Sequence, residues 1–574
     1  MQVTRLLVCL VALSSLGYCA DLDVVRDGKA CAAIVVAADA SQQVKDAAGL
    51  LVSCVEAATG AKLPVADAVP KAGTVVAVGQ CPGIAAPDLT GLDGDGFDIS
   101  FADARTMLIL GPTDWGTEFG VCEFLERYVG VRWLLPGPEG TDIPQATAIS
   151  VPAVPVRQQP AFFSRLFSGL VGTVQTDWAR RNRMHGRVSF HHNILNLFPA
   201  ETYTKTHPEF YPLRDGKRVL PPTNDSYGWQ PCYSAPGIVE EAVKNINEFF
   251  DKHPEETSYS LGANDSSGYC QCPECLAKLP KAPNFLGLAD YSDQYYDWCN
   301  KVIEGVLRTH PDKVFGCLAY SEVAAPPRKV TVHPRLIPYM TYDRMKWRDP
   351  EVRKDGEAAT LGWAAQTPTL GWYDYIYGTP YCVPRIWFHH MADYYRFGHA
   401  HNVRALYAEA YPNWGEGPKL YVALKLQWDP TRDVDALLKE WTARCVGEAA
   451  APDLAAYYAL WEDFWTRRVL QSKWFTRGGQ YLDFSDPGYL ADVTEQDIVT
   501  SRRLLESAFA KAETPRQKAR AKLLLDAFEY YEATALAYKA RISASQPADS
   551  EEAAIANIDG TLKTLDLARG GCNW

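Results

Sequence analysis

Residues 258–275, SYSLGANDSSGYCQCPEC, join an alternating apolar run to an Asn-Asp pair and then to three closely spaced cysteines. Tyr259 and Leu261 alternate with small residues, as in a buried strand, and the chain then turns at Asn264 and Asp265. Barrel enzymes carry their catalytic residues at the C-terminal ends of strands, so a carboxylate at this position indicates a functional site. The same residue types also favour an ordinary turn, and this stretch alone does not separate the two interpretations.

Strand-like runs with helical segments between them recur from 161 to 430. They are FFSRLF (162–167), GRVSFHHNILNLF (186–198), EFYPL (209–213), TSYSLGA (257–263), KVFGCLAY (313–320), RLIPYMTY (335–342), TLGWYDYIY (369–377) and VRALYAEA (403–410). Eight parallel strands with crossover helices predict a (β/α)8 TIM-type barrel, in which the third run is the weakest strand. A doubly wound open sheet gives a similar pattern, but the sequence contains no GxGxxG or Walker-type loop.

The flanking regions predict two further domains. From 21 to 152, strands alternate with helices, and FDISFADARTMLILG (97–111) has the pattern of a hairpin, so we expect a small α/β sandwich domain with an accessory role. The Pro-rich run 151–160 is typical of a stiff linker. From 431 to 574, apolar residues recur at helical spacing, which predicts an α-helical C-terminal domain.

Composition limits the partners and the compartment. The formal net charge is −12 and the sequence has no block of basic residues, so we expect no nucleic-acid partner. Residues 1–20 have an early arginine, an apolar stretch and small residues after it, which is typical of a secretory signal peptide. We therefore expect an exported protein, periplasmic or extracellular, without a transmembrane segment. The 16 Trp and 30 Tyr residues suit either a large core or the stacking of sugar rings.

Two acids that end predicted strands are the candidate catalytic pair, Asp265 and Glu409. Cleavage of a glycosidic bond needs a proton donor at the leaving oxygen and a second group that stabilises an oxocarbenium-like centre, and two carboxyl groups most often supply both. Glu409 ends an apolar run, where a carboxylate is costly unless it is used or paired. The alternative role for Glu409 is a salt bridge to Arg404 or Arg165.

Further polar and aromatic residues at strand ends are candidates for substrate binding. They are Arg165, His192, Asn264, Tyr320, Trp372, Asp374 and Tyr377. His191 precedes His192, and because neighbouring residues on a strand point in opposite directions, we select His192. The set has almost no metal-ligand pattern, so we expect no cofactor for catalysis.

Four cysteines form a separate candidate site: Cys270, Cys272 and Cys275 with the spacing C-x-C-x-x-C, and Cys232 in QPCYSAPG just before a predicted helix. Four thiols suit a closed tetrahedral zinc site, whereas an oxidising compartment favours a disulfide that involves Cys232. Both alternatives stay open, and both give the cluster a structural role.

Taken together, several segments resemble the bacterial family called domain of unknown function 4838, part of which is classed as glycoside hydrolase family 163. The segments are GTEFGVCEFLERYVGVRWLLPG, HPEFYPLRDGKR, QPCYSAPGIVEE, NDSSGYCQCPEC, GWYDY with the later PRIW, and ALYAEAY followed by LKLQWDP. The N-terminal region is similar to the accessory domain that precedes the barrels of hexosaminidases and α-glucuronidases.

The resemblance implies an exported sugar hydrolase with a barrel catalytic domain, and for the characterised branch an endo-β-N-acetylglucosaminidase that acts on N-glycans. Related substrate-assisted barrels place two adjacent acids after the fourth strand, whereas this chain has Asn264 before Asp265. Inverting, retaining and substrate-assisted mechanisms therefore all stay open. The alternatives are an α-glucuronidase-like uronidase, for which Arg165 and Arg344 could bind the sugar carboxylate, and a non-catalytic glycan-binding barrel.

Overall fold

The structure is a computed structural model that describes residues 21–544 together with 555 and 559. The predicted signal peptide lies outside the described residues. Within the described part of the chain, no helix has both the length and the apolar character needed to cross a bilayer.

The chain divides into two compact units. One comprises 21–131 and 143–159, and the other comprises 132–142 and the described residues from 160 onward. The division into an accessory domain, a barrel and a helical domain, with the boundaries given above, stays a prediction.

Strands and helices are numbered here in chain order. The strands are β1 (Leu22–Arg26), β2 (Lys29–Ala30), β3 (Ala32–Val35), β4 (Val65–Ala66), β5 (Thr74–Val78), β6 (Phe97–Asp103), β7 (Thr106–Leu110), β8 (Arg132–Trp133), β9 (Thr141–Asp142), β10 (Ile149–Val151), β11 (Val156–Gln158), β12 (Ser164–Ser168), β13 (Leu213–Arg214), β14 (Lys217–Arg218), β15 (Ser258–Ser260), β16 (Val314–Ala319), β17 (Leu336–Thr341), β18 (Leu370–Tyr375) and β19 (Val403–Glu409). The helices are α1 (Gln42–Thr59), α2 (Asp114–Phe124), α3 (Gly172–Arg181), α4 (Ile194–Leu197), α5 (Ala200–Thr206), α6 (Ile238–Lys252), α7 (Pro273–Lys278), α8 (Ser292–Leu307), α9 (Pro350–Ala364), α10 (Phe388–Ala400), α11 (Lys419–Trp428), α12 (Val434–Val446), α13 (Ala451–Asp463), α14 (Lys473–Thr476), α15 (Glu495–Lys511) and α16 (Pro515–Ala544).

The first unit is an α/β structure, as the alternating pattern predicts. Its main sheet has the order β11-β6-β7-β5-β3-β4, and β6 pairs antiparallel with β7, which confirms the predicted hairpin. Helices α1 and α2 pack against each other and on this sheet. The Ser41 side chain caps the first turn of α1, and Gly60, with φ of 73°, ends the helix in the left-handed conformation that glycine adopts without steric cost.

The second unit is built on a curled parallel sheet with the order β12-β19-β18-β17-β16-β15. Helices follow its strands, as in a barrel, and α12, α13, α15 and α16 pack together after the last strand. The predicted barrel class is confirmed. The predicted strand number is wrong, because six of the eight runs form strands of this sheet.

The run 186–198 forms irregular chain and helix α4 instead of the predicted second strand. Two side-chain hydroxyls replace the backbone ladder, since Ser164 accepts from the Arg187 N–H at 2.8 Å and Ser258 accepts from the Ser189 N–H at 2.9 Å. The segment and the residue before it still touch both edges of the sheet, through isolated bridges from His185 to β12 and from His192 to Gly262 after β15.

The run 209–213 also fails to form the predicted third strand. Residues Pro208–Phe210 form a turn of 3-10 helix, and β13 then pairs with β14 in a short hairpin. Asp215 and Gly216 at the hairpin tip have φ of 47° and 73°, which is the backbone that an Asp-Gly hairpin turn requires. The local turn chemistry therefore outweighs the weak apolar pattern.

Phe190 fills the concave face of the parallel sheet. Its ring stacks on Tyr339 of β17 at 3.7 Å and meets Tyr407 of β19 edge-on at 5.1 Å. Gly316 of β16 leaves the space for this segment, because a Cβ there would lie 2.4 Å from the Ser189 carbonyl oxygen. The irregular segment is thus held in the interior of the sheet by packing rather than by a strand ladder.

We predict that Phe190→Ala lowers the free energy of unfolding by ~3–5 kcal/mol, the usual cost of removing a buried phenylalanine ring. The shift of the urea midpoint at unchanged slope measures the effect. Phe285→Ala, at a phenylalanine that is 43% exposed, serves as the control and should cost ~1 kcal/mol or less. Equal midpoints for the two variants would show that the ring does not anchor the segment.

Candidate active site

Glu409 lies at the C-terminal end of β19, in register with Ser168 of β12 and Tyr375 of β18. Its carboxylate accepts a hydrogen bond at Oε1 from the Tyr373 hydroxyl and another at Oε2 from the Tyr377 hydroxyl. Two phenolic donors fix the orientation of the half-buried carboxylate and suit its ionised form.

The guanidinium groups considered as salt-bridge partners of Glu409 bind elsewhere. Arg404 donates to the carbonyl oxygens of His399 and Val403. Arg165 donates to the carbonyl oxygen of Phe162, at 2.6 Å, and to that of Arg183. Neither arginine therefore forms the alternative salt bridge with Glu409.

Strand β18 supplies the phenols through the two-residue period of a strand. Tyr373, Tyr375 and, just beyond the strand, Tyr377 are half-buried and share the side that meets Glu409, whereas Trp372 and Asp374 are buried on the other side. The alternation of the run was visible in the sequence. Because Tyr377 was chosen as a site residue, the same two-residue period also predicts Tyr373 and Tyr375 as site residues.

Trp372 and Asp374, which we expected to bind substrate, are not brought to this site. The Trp372 ring lies 3.9 Å from the Arg344 guanidinium. Asp374 accepts from the Arg344 backbone N–H at 3.0 Å and from the Tyr375 N–H at 2.8 Å. Both expectations are corrected, because these side chains stabilise the packing behind the strand.

Arg165 is likewise not brought to the site. It lies on β12 with an exposure of 0%, and its guanidinium is 5.4 Å from the Trp428 ring centroid. Its neighbour Leu166 packs on the interior cluster that contains Tyr407. Arg165 therefore points to the outer side of the strand, where it has a structural role rather than the expected substrate contact.

Asp265 and Asn264 follow β15 and point in different directions. Asp265 is exposed and accepts a hydrogen bond from the Tyr320 hydroxyl at 3.0 Å. Asn264 is 1% exposed; its Oδ1 accepts from the Leu195 N–H at 3.0 Å and its Nδ2 donates to the Trp229 carbonyl oxygen at 2.9 Å. The expectation that Asn264 binds substrate is corrected, because both ends of its amide hold the surrounding loops.

A set of tyrosines connects the two acids. The Tyr481 hydroxyl lies 2.9 Å from the Thr341 hydroxyl, and its ring meets Tyr375 edge-on at 5.0 Å. Burial, together with the charge of Asp265, raises the pKa of Tyr481 to about 12. Burial also raises the pKa of Tyr375, with further contributions from Tyr481 and Glu409. Asp265 and Glu409 therefore border one bowl lined by phenols, each of which can donate a hydrogen bond at neutral pH.

Both histidines of the pair reach the rim of the bowl. His192 donates from Nδ1 to the Ala263 carbonyl oxygen, and its ring lies 6.0 Å from that of Tyr320. The His191 ring stacks on Phe190 at 4.1 Å and lies 6.3 Å from that of Tyr373. Desolvation, followed by the charge of His192, lowers the pKa of His191 to about 4, so this ring is neutral near pH 7.

The tyrosine at 481 could not be found as a site residue from the barrel pattern, because it lies in the C-terminal region between α14 and α15. Of the residues chosen from the sequence, the structure brings Asp265, Glu409, Tyr320, Tyr377 and His192 to the bowl.

The four predicted cysteines converge at a second site, termed here the four-cysteine cluster. All four are buried with unlinked thiols, and their sulfur atoms lie within 4.8 Å of one another. Cys232 Sγ is 3.8 Å from Cys272 Sγ and 3.9 Å from Cys275 Sγ. A tetrahedral zinc with Zn–S bonds of about 2.3 Å separates its sulfur ligands by about 3.8 Å. The four-cysteine cluster can therefore hold a metal ion, and hydrogen bonds from Cys232 and Cys275 lower the pKa of Cys270.

Comparison with solved structures gives the class of fold. A family GH115 4-O-methyl-α-glucuronidase, BtGH115A, with specificity for decorated arabinogalactans, is similar with a TM-score of 0.60 and 13% identity over 96% of this chain and 77% of that one. A GH138 enzyme targeting pectin rhamnogalacturonan II is similar with a TM-score of 0.52 and 11% identity over 94% of this chain and 92% of that one. The chain therefore has a fold of glycoside hydrolases.

The sequence identifies the family. The profile described as domain of unknown function (DUF4838) matches residues 135–459, more than half of the chain. The protein belongs to this family, as the motifs predict. A search of curated proteins gives no match.

We predict that Asn264→Ala lowers the free energy of unfolding by ~2–4 kcal/mol, because it leaves the buried Leu195 N–H and Trp229 carbonyl without their partners. Urea denaturation measures the change. The control is Asn196→Ala, which removes an exposed amide that donates to Asn193 and should shift the midpoint little. A stable Asn264→Ala protein with a specific loss of glycan binding would instead assign Asn264 to the substrate.

Proposed function

We propose that the protein is a glycoside hydrolase that cleaves a glycosidic bond of a complex glycan held between Asp265 and Glu409. The observation that carries the proposal is the pair of carboxylates at one phenol-lined bowl, at the C-terminal ends of β15 and β19. Glycosidase chemistry needs such a pair, and barrel enzymes carry it at this end of the sheet. The similarity in fold agrees with this assignment.

The surroundings of each acid suggest its role. Asp265 is exposed and accepts one phenolic hydrogen bond, from Tyr320, which leaves its carboxyl group accessible for proton exchange with the leaving oxygen. Glu409 is held by two donors, which suits an ionised group that stabilises positive charge at the anomeric carbon or attacks it. Because the Asn264 amide is engaged internally, the orienting group for an acetamido-assisted route would have to come from the tyrosines of the bowl.

The finer assignment is an endo-β-N-acetylglucosaminidase, which rests on the resemblance to glycoside hydrolase family 163. The uronidase alternative needs a cation for the sugar carboxylate. Arg165 and Arg344 are both fully buried, and Arg344 donates to the carbonyl oxygens of Tyr373 and Met340, so neither offers that cation.

A purely glycan-binding barrel would not need the paired acids. Export, which residues 1–20 predict, belongs to the same proposal.

We expect Asp265→Asn and Glu409→Gln, made separately, to lower turnover by at least about a hundredfold with the fold intact, since a positioned acid or base contributes about 10²–10⁴-fold. Activity is measured on a panel of N-glycans, arabinogalactan and pectin fragments, with products identified by mass. Glu351→Gln, at a side chain that is 84% exposed, is the control and should keep the full rate.

Full activity of Glu409→Gln on the best substrate would exclude this acid from the chemistry. Absence of cleavage across the whole panel, with retained glycan binding, would favour the non-catalytic alternative. For an active protein, NMR of the first-formed anomer distinguishes inversion from both retaining routes. Loss of activity when the acetamido group is replaced would then indicate substrate assistance.

We further propose that the four-cysteine cluster holds a structural zinc ion. The four buried thiols and the two sulfur–sulfur distances support this over a disulfide. Cys232 precedes α6, whereas the other three ligands follow β15, so the ion would join the loop that carries Asp265 to a second loop. A site with four cysteine ligands leaves no open position for catalysis.

Metal analysis of the purified protein should give about one zinc per chain. Cys272→Ser should lower both the zinc content and the thermal midpoint, because binding to the folded chain contributes to stability. Cys317→Ala, at a buried cysteine outside the cluster, is the control and should retain the zinc. Four reactive thiols in a metal-free protein of unchanged stability would contradict the proposal.

A further inference from the structure

We propose that Tyr377, Tyr411 and Phe484, termed here the aromatic platform, bind a second sugar unit of the substrate beside the one at Glu409. The Tyr377 ring is nearly parallel to that of Tyr411, with centroids 5.3 Å apart and an interplanar angle of 8°. It also stacks on Phe484 at 4.9 Å and 28°. The inference rests on the proposed function and adds to it the residues that bind the sugar next to the one at Glu409.

The platform is open to solvent at its two outer rings. Tyr411 is 43% exposed and Phe484 is 48% exposed, although both have large apolar faces. A cluster of aromatic rings with exposed members at the edge of a polar cleft marks a binding site more often than a single exposed residue does. The C–H face of a pyranose ring fits such a surface, because it presents weakly positive hydrogens to the negative face of an aromatic ring.

The backbone holds Tyr411 in a conformation that a tyrosine seldom adopts. Its φ is 39°, in the left-handed region, and its carbonyl oxygen accepts from the Thr379 N–H at 2.8 Å. Gly169 lies directly beneath it, since a Cβ there would be 2.6 Å from the Tyr411 ring. Strained conformations of this kind cluster at ligand-binding sites, where the surrounding structure fixes them. The surrounding structure therefore fixes the position of this ring. An ordinary surface residue would not need such a fixed position.

The platform is adjacent to the chemistry. The Tyr377 hydroxyl donates to Glu409 Oε2, so the central ring of the platform touches the proposed catalytic carboxylate. A sugar stacked on either outer ring would be the neighbour of the sugar whose bond is cleaved. The platform is thus assigned to the sugar unit that adjoins the one at Glu409.

Phe484 comes from the C-terminal region, as Tyr481 does. Tyr481 contacts Tyr375 inside the bowl, and three residues later Phe484 contacts Tyr377 at the rim. One segment outside the strands therefore supplies both an inner wall of the bowl and one of the two outer rings of the platform. This makes Phe484 a residue that determines specificity for chain length.

The test measures binding to an array of mono-, di-, tri- and tetrasaccharides of N-acetylglucosamine, galactose and galacturonic acid, on the otherwise intact protein. We expect at least one series to bind about tenfold more tightly as the disaccharide than as the monosaccharide. Phe484→Ala should remove that gain, and Phe484→Trp should restore it, because a larger ring again offers a stacking face. Phe509→Ala on α15, at an exposed phenylalanine outside the bowl, should keep the gain.

Three results would overturn the proposal: affinity that does not depend on chain length, no binding by any series, or a gain that survives Phe484→Ala. On any glycan that is cleaved, Phe484→Ala should raise KM with little change in kcat, since the platform binds ground state and transition state alike. Failure of the proposed function gives a different result from failure of this inference. If only the hydrolase function is wrong, the unmodified protein shows length-dependent binding that Phe484→Ala abolishes, but it cleaves no glycan.

Discussion

The packing of Phe190 against the concave face of the parallel sheet is the interaction on which the site depends. The edge strands β12 and β15 have no strand between them in the described sheet, and the segment that bridges them is held by this ring and by two serine hydroxyls. His191 and His192 follow directly, so their places at the rim of the bowl derive from the burial of their neighbour. A buried phenylalanine thus holds this segment in place, as a ladder of backbone hydrogen bonds holds a strand in a complete barrel.

Phenolic hydroxyls rather than arginines organise the charge in the bowl. Glu409 is bound by Tyr373 and Tyr377, and Asp265 by Tyr320, while Arg165 and Arg344 lie behind the strands. A neutral donor orients a carboxylate without cancelling its charge, so the acid keeps its electrostatic effect on a developing cation. Such an arrangement fits an uncharged sugar better than an acidic one.

Hydrogen bonds to Asn264 and the four-cysteine cluster hold the loop that carries Asp265 in place. Gln230 donates to the Asn264 carbonyl oxygen at 2.6 Å, and the Asn264 amide binds the loops around it. The four-cysteine cluster brings the following residues against Cys232. Asp265 is exposed at the tip of this fixed loop, which lets a solvent-facing acid keep a defined position.

The sequence by itself determined the class of the fold, six of the eight predicted barrel strands, the two candidate acids and the cysteine cluster, because these follow from local period, chain spacing and residue chemistry. It could also have given the inner face of β18, since Trp372 and Tyr373 differ by one residue and must point in opposite directions. The tertiary structure decided the rest. Whether 186–198 forms a strand depends on serines from other elements. Whether the Asn264 amide is free to bind substrate depends on Leu195 and Trp229. The roles of Tyr481 and Phe484 depend on contacts with residues about a hundred positions earlier in the chain. Such contacts leave no local pattern, because packing between distant segments is set by shape and burial rather than by the period of either segment.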